Sequence, residues 1–429
     1  MTPLGTSKPP RRPRPSALTS VAGARTNGKP RVLFVTMSLN VGGTERQLAQ
    51  IAPAIARLPV DAGVVSLLDR GTFAEELERD GITVSGPGPL AAPLPRSRAI
   101  RTLRLVSGMA RLAWHLFRLR PQIVNFYLPL PFIIGAPMAV LAGIPHILMS
   151  RRGLNTHFAR YPGARTIERR LHRRVSVFVA NARAVARQLI EEEGVPAERV
   201  SLISNGIDLA PFDRPFDRDR ARGELSIPNG ALVMIMVANL HAYKGHGDLL
   251  QALSRMTPHL RPDWVLLLAG RDVGTGPSLQ ALAGELGIAS HVRFLGQRSD
   301  VPSLLRLADL AVHCSHEEGA SNAVLEAMAA GLPLVVTDAG GNAEAVLDGI
   351  NGLVVPPRDP AALATAMLRI VEDPTLAARF GIASRQRVEA EYSLAGCLEK
   401  YERLYRTLLV GIEPAAPRRL GVAPGSNRE

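Results

Sequence analysis

Glu318 and Glu326 stand with seven residues between them, and the stretch they bracket is the one in this chain best suited to holding a ligand. Gly319, Ala320, Ser321 and Asn322 form a short polar loop after Glu318. Val324, Leu325, Met328 and Ala329 then recur at helical spacing, with Asn322 as the expected N-cap. Backbone N–H groups at a helix start attract anions, and a glycine lets a ligand approach the main chain closely. Free carboxylates beside such a site would repel a phosphate. They are useful there if they accept hydrogen bonds from hydroxyls, such as those of a sugar and a ribose. The plainer alternative makes Glu326 a first-turn acid favoured by the helix dipole and leaves Glu318 solvated.

Two other places carry related chemistry. Residues 31–37, RVLFVTM, read as a strand, followed by a loop ending in Gly42-Gly43 and a helix from Thr44. Strand, glycine loop and helix is an arrangement that accepts a phosphate or a sugar. No GxGxxG is present, so a nicotinamide dinucleotide fits poorly. Lys244 follows a strand at 232–238 and precedes a helix, where its ammonium reaches a phosphate. A third motif, Gly23 to Lys29, imitates a phosphate-binding P-loop. It fails on context, because no strand precedes it and Pro30 stands where a hydroxyl residue would hold magnesium.

The elements that must position these groups alternate regularly. Strands are expected at 31–37, 64–67, 82–84, 122–126, 146–149, 175–180 and 200–203, and again at 232–238, 264–269, 292–295, 310–314, 333–336 and 353–355. Helical patterns lie between them. Such alternation implies an α/β fold of parallel sheets covered by helices. With 429 residues and 46% hydrophobic content, two doubly wound Rossmann-like domains are the natural reading. The expected division is a disordered basic tail at 1–29, a first domain at 30–207, a linker at 208–230 and a second domain at 231–390. A helix crossing back to the first domain follows at 391–411, then a disordered tail at 412–429. Residues 126–150 carry no charge, but Pro129, Pro131, Pro137 and Pro145 argue for strand, buried helix and strand over a membrane span.

The glutamate stretch resembles the donor site of the family 4 retaining glycosyltransferases, which have the GT-B fold of two Rossmann-like domains facing across a cleft. Glu318, Gly319, Asn322, Leu325, Glu326, Ala327, Met328, Ala329, Gly331 and Pro333 match the family pattern. Gly340, Gly341, Asn342 and Glu344 match its continuation, and Asn205, Gly206 and Asp208 match the turn that ends its first domain. The resemblance implies transfer of a sugar from a nucleotide-diphosphate donor with retention of configuration. Glu318 would hold donor-sugar hydroxyls and Glu326 the ribose. Lys244 and a helix N-terminus would stabilise the departing diphosphate, and Gly42-Gly43 would face it. Glu318 and Lys244 are thus the implied catalytic pair, and Gly42, Gly43, Gly319, Ala320, Ser321, Asn322 and Glu326 complete the donor site. Neither a metal nor a cofactor is expected. Asp217-Arg218-Asp219 matches the Asp-x-Asp metal site of another glycosyltransferase fold, but it lies in the linker and reads as solvated charge. Two departures stand out. Asn239 replaces an arginine usually found five residues before the lysine. Arg151-Arg152 follows the strand after which a histidine is usual, so Arg152 is the candidate first-domain contact.

Charge bears on the partners. Residues 1–220 hold 32 Lys and Arg against 16 Asp and Glu, a balance of +16, while the remainder carries −3. No acid occurs from Gly81 to Ile167. A basic half points to an anionic partner. Within 97–119, Arg104, Arg111, His115 and Arg118 share one helical face. Leu103, Val106, Ala110, Trp114 and Phe117 share a second, and Leu105, Met109, Leu112 and Leu116 a third. A basic amphipathic helix of this kind either lies on a bilayer or simply covers the sheet. An anionic membrane surface and a lipid-linked or saccharide acceptor are therefore expected, with a cytoplasmic, peripheral location. Two cysteines and no signal-peptide pattern accord with that. Nucleic acid is not expected, since no reading module is recognisable. A nucleotide-sugar epimerase of the same fold and a non-catalytic nucleotide-sugar-binding protein remain the alternatives.

Overall fold

The computed structural model describes residues 28–40, 42–88, 97–155 and 162–410. Most of the P-loop imitation and of the expected N-terminal tail, and all of the expected C-terminal tail, lie outside them. Among the described residues, thirteen strands form two parallel sheets. The first contains β1 (Arg31–Ser38), β2 (Asp61–Asp69), β3 (Thr83–Ser85), β4 (Ile123–Tyr127), β5 (His146–Arg151), β6 (Val177–Ala180) and β7 (Val200–Leu202). The second contains β8 (Leu232–Val237), β9 (Trp264–Ala269), β10 (Val292–Gly296), β11 (Leu310–His313), β12 (Leu334–Thr337) and β13 (Leu353–Val355). Every expected strand is present.

The central strands, such as β8 and β9, are apolar along their length because helices cover both faces of each sheet. Val32 and Phe34 of β1 enter one core, and Leu33 and Val35 the other. Met234 and Met236 of β8 are divided in the same way from Val233 and Ile235. The uncharged stretch resolves into β4, the buried helix Pro129–Leu141 and β5. Among the described residues no helix is long and apolar enough to cross a membrane.

Strand order runs β3-β2-β1-β4-β5-β6-β7 in one sheet and β10-β9-β8-β11-β12-β13 in the other. Chain direction across the sheet therefore reverses between β1 and β4, and again between β8 and β11. Crevices at such switch points, at the carboxyl ends of the strands, are where doubly wound sheets bind ligands. The loops after β1, β8 and β11 carry Gly42-Gly43, Lys244 and Glu318.

The segment between the sheets is folded. Asp217 accepts the N–H of Arg220 at 2.9 Å and so caps the helix Arg218–Glu224. Arg222 of that helix is buried, donating to Asp309 at 2.9 Å and to the Leu307 carbonyl. Asp217 thus acts as a cap, where the sequence reads as solvated charge. The last helix, Leu394–Leu409, buries Cys397, Tyr401, Tyr405 and Leu409 at four-residue spacing, and these pack into the first-domain core with Phe34 and Leu48.

Candidate functional site

The site forms where loops of both sheets meet. Gly42 is the extended residue before the helix Gly43–Ala56. Gly43 lies under Asn322 of the second domain, whose Nδ2 donates to its carbonyl at 3.2 Å. Across the junction, β8 leads through Lys244 into Gly245, which has φ +76° and starts the helix His246–Met256. A Cβ on Gly245 would sit 2.0 Å from the Cys314 carbonyl oxygen. The loops after β8 and β11 therefore pack backbone to backbone, and this brings the Lys244 ammonium into an ion pair with the Glu318 carboxylate.

Glu318 is held by more than Lys244. Its Oε1 accepts hydrogen bonds from His313 Nε2 at 2.9 Å and Ser315 Oγ at 2.8 Å. Burial opposes its ionisation, but the His313 hydrogen bond and the Lys244 charge outweigh it, and the carboxyl is lowered to about 2. Glu326, on the helix Asn322–Ala329, is treated differently. Burial pushes its carboxyl up, against the pull of Arg46. Arg46 Nη1 of the first domain is 3.8 Å from Glu326 Oε1, an ion pair too long for a direct hydrogen bond. The two carboxylates thus differ in kind, one fixed by close donors and the other with its acceptor capacity still open.

The intervening loop is built against the first domain. A Cβ on Gly319 would lie 2.3 Å from the Arg152 carbonyl oxygen. Gly340, at φ +55°, approaches from the other side, where a Cβ would be 1.9 Å from the Glu318 carbonyl oxygen. The N–H of Gly341 donates to the Gly319 carbonyl at 2.6 Å. Ala320 accepts through its carbonyl from Asn205 at 3.2 Å. Ser321, not Asn322, occupies the helix cap, without a side-chain hydrogen bond. Asn322 is displaced from that role because its side chain is engaged across the junction, where it accepts from Asn205 Nδ2 at 2.6 Å. Glu344 makes a further crossing, its carboxylate accepting the N–H groups of Arg183 and Ala184 at 2.7 Å each.

Arg152 is buried at this junction. Its Nη2 donates to Asn205 Oδ1 at 2.7 Å and its Nη1 to the Tyr401 hydroxyl at 3.3 Å. It therefore ties the crossing helix to the turn between the domains. Arg151 points elsewhere, between Glu168 at 2.9 Å and Glu193 at 2.6 Å. Glu168, His172 and Glu193 have the donor types for a metal ion, but the Arg151 guanidinium already lies between the two carboxylates. Asn239, which stands where the family has arginine, accepts the backbone N–H of Arg271 at 3.0 Å. The Arg271 charge acts on both Glu45 and His241, so a guanidinium is present near the lysine loop from another strand end.

The sequence reading missed His313, Ser315, Arg46 and Arg271. A histidine closing an otherwise apolar parallel strand, five residues before the first glutamate, is the signal that marks His313. Arg46 had a weaker one, a cation just inside the helix that follows the double glycine.

Two doubly wound domains with their switch-point loops joined define the GT-B architecture. HepE of Anabaena, solved in complex with UDP, shares it with a TM-score of 0.74 and 23% identity, over 88% of this chain and 100% of that one. Sucrose-phosphate synthase of Thermosynechococcus elongatus shares it with a TM-score of 0.72 and 20% identity, over 89% and 100%. Residues 41–211 match the family described as Glycosyltransferase Family 4, and residues 217–387 match the one described as Glycosyl transferases group 1. The chain belongs to the family 4 glycosyltransferases. Among its relatives, the D-inositol 3-phosphate glycosyltransferase of Thermobispora bispora is 34% identical over 254 residues, covering 54% of this chain and 58% of that protein. The same enzyme of Geodermatophilus obscurus is 36% identical over 220 residues, 49% of each chain. The chain thus spans about half the length of the curated relatives it matches.

Proposed function

We propose that this protein is a retaining glycosyltransferase that moves a sugar from a nucleoside diphosphate to a lipid-linked or saccharide acceptor. The reading extends to assembly of a cell-surface polysaccharide or glycolipid, at the anionic cytoplasmic face of a membrane. One observation carries it: the fixed Lys244–Glu318 pair and the open Glu326 carboxylate bracket the 319–322 loop, opposite Gly42 and Gly43.

In this reading the donor lies along that loop. The ribose hydroxyls donate to Glu326, which has no close donor of its own among the described residues. The sugar hydroxyls donate to Glu318, whose contacts with His313, Ser315 and Lys244 all fall on Oε1. The Lys244 ammonium and the N-terminus of His246–Met256 lie beside the diphosphate and stabilise charge as the glycosidic bond breaks. Positive charge already in place at the leaving group makes a metal unnecessary, and no protein nucleophile is assigned. A polyol phosphate acceptor, as named for the inositol relatives, would meet the basic first domain, as would a lipid-linked one.

The test is stereochemical. A panel of UDP- and GDP-sugars is incubated with saccharide and lipid-linked acceptors, and the product is followed by proton NMR. The reading predicts a product with the anomeric configuration of the donor. An inverted product, or free epimerised nucleotide sugar, would overturn it.

A further inference from the structure

The membrane-surface reading above leaves open which surface meets the lipid, and the helix Arg98–Trp114 with its continuation His115–Leu119 decides it. Leu112 and Leu116 are fully buried against the sheet, and Gly108 sits so close that a Cβ there would be 2.1 Å from the Leu67 carbonyl oxygen. Arg104 turns inward as well, against Gly88 and towards Asp69. The face that the sequence pairs with Arg104 is therefore only partly the outer one. What points outward is the second apolar face: Leu103 is 69% exposed, Val106 58%, Trp114 56% and Phe117 48%. Arg101, Arg111 and Arg118 are exposed along the same helix.

We infer that this stripe is a bilayer-docking surface, in which Leu103, Val106, Trp114 and Phe117 enter the acyl boundary while Arg101, Arg111 and Arg118 reach anionic headgroups. Large apolar side chains in a row on a polar surface mark an interaction site. Their flanks select the occupant. The acid-free run from Gly81 to Ile167 removes repulsion from lipid phosphates, and arginine stems lie along apolar surface while their heads stay in the headgroup layer. Placement agrees. Leu67 is two residues, about 7 Å of strand, from the end of β2, so of the roughly 15 Å of helix before Gly108 only about half extends past the strand ends. That is the sheet edge carrying Gly42 and Gly43. The stripe thus starts level with the strand ends from which the donor-site loops leave, on the side of the molecule an acceptor leaving the bilayer would approach.

The inference builds on the proposed reaction, but its test does not need it. The full chain is floated with vesicles of phosphatidylcholine alone or mixed with phosphatidylglycerol, and its fluorescence is read with brominated lipids. Trp264 is buried and stacked on His291, so lipid quenching reports Trp114. Flotation should require phosphatidylglycerol, and Trp114 should be quenched. A Leu103→Ser, Trp114→Ser variant should float at least about tenfold less with donor turnover unchanged. Absence of flotation, equal flotation of the variant, or a Trp114-dependent dimer in place of lipid binding would overturn the proposal. Vesicle binding without sugar transfer would instead count against the proposed reaction.

Discussion

Asn205 joins the two domains through Asn322: its Nδ2 donates to Asn322 Oδ1 at 2.6 Å while its Oδ1 accepts from Arg152 at 2.7 Å. A chain of hydrogen bonds therefore runs from Tyr401 on the crossing helix, through Arg152, Asn205 and Asn322, to the Gly43 carbonyl. Asn205→Ala leaves the buried Arg152 without its shortest acceptor. A buried hydrogen bond to a charged group contributes roughly 1.5–3 kcal/mol. Thermal denaturation should show a stability loss of that order, and donor kcat/KM should fall about tenfold or more. A variant with unchanged kcat/KM would remove the coupling role.

Glu326→Ala should weaken nucleoside diphosphate binding while the fold survives. The expected loss is roughly 1.5–3 kcal/mol, the range for hydroxyls donating to a charged acceptor. Calorimetry with UDP and GDP measures it. Equal affinity in the variant would take the ribose role from Glu326.

Acid should destabilise the second domain in two stages. His246 is buried, and burial, with the neighbouring His313 and Lys244, lowers it from 6.5 to about 4. Glu318 is lowered from 4.5 to about 2. In each case the folded state binds its proton more weakly than the unfolded chain. The stabilisation is therefore complete only above the unfolded value and is lost as pH falls through the folded one. The window runs from 6.5 to 4 for His246 and from 4.5 to 2 for Glu318. A shift of this size corresponds to roughly 3 kcal/mol for His246. Melting temperature followed against pH should fall first in the His246 window, and His246→Asn should flatten that part alone. An unaltered profile would show that another group titrates there.

Gly319→Ala tests the close approach of the domains. Its Cβ would be placed 2.3 Å from the Arg152 carbonyl oxygen, a backbone atom that cannot swing away. The donor loop must then shift, and both nucleotide affinity and turnover should fall. Gly163→Ala, with open space around it, is the control expected to do neither. Wild-type kinetics in Gly319→Ala would mean that the domains do not need this contact.

Strand positions were legible because a parallel strand buried on both faces reads as a near-continuous apolar run, as at β8 and β9. The glutamate loop was legible because its glycines and spacing are local features. The outward direction of the 98–114 helix was not. The sequence offered two apolar faces, Leu105 to Leu116 and Leu103 to Phe117, and only the contact of Gly108 with Leu67 selects the buried one. Asn322 was read as a cap because local propensity favours it. Its partner Asn205 lies 117 residues away, beyond any local rule. The Glu318 environment is different: His313 and Ser315 stand only five and three residues before it, so that part was within local reach and was missed, whereas the contact with Lys244, 74 residues away, is made only by the fold.

The most direct test concerns Lys244 and the departing diphosphate. Nucleoside diphosphate release from a UDP- or GDP-sugar is measured at saturating donor for the wild type and Lys244→Ala, with nucleotide affinity measured alongside. Loss of one preorganised charge at the leaving group should lower kcat by about 10²–10³, with a much smaller change in nucleoside binding. Full turnover in Lys244→Ala would contradict the account.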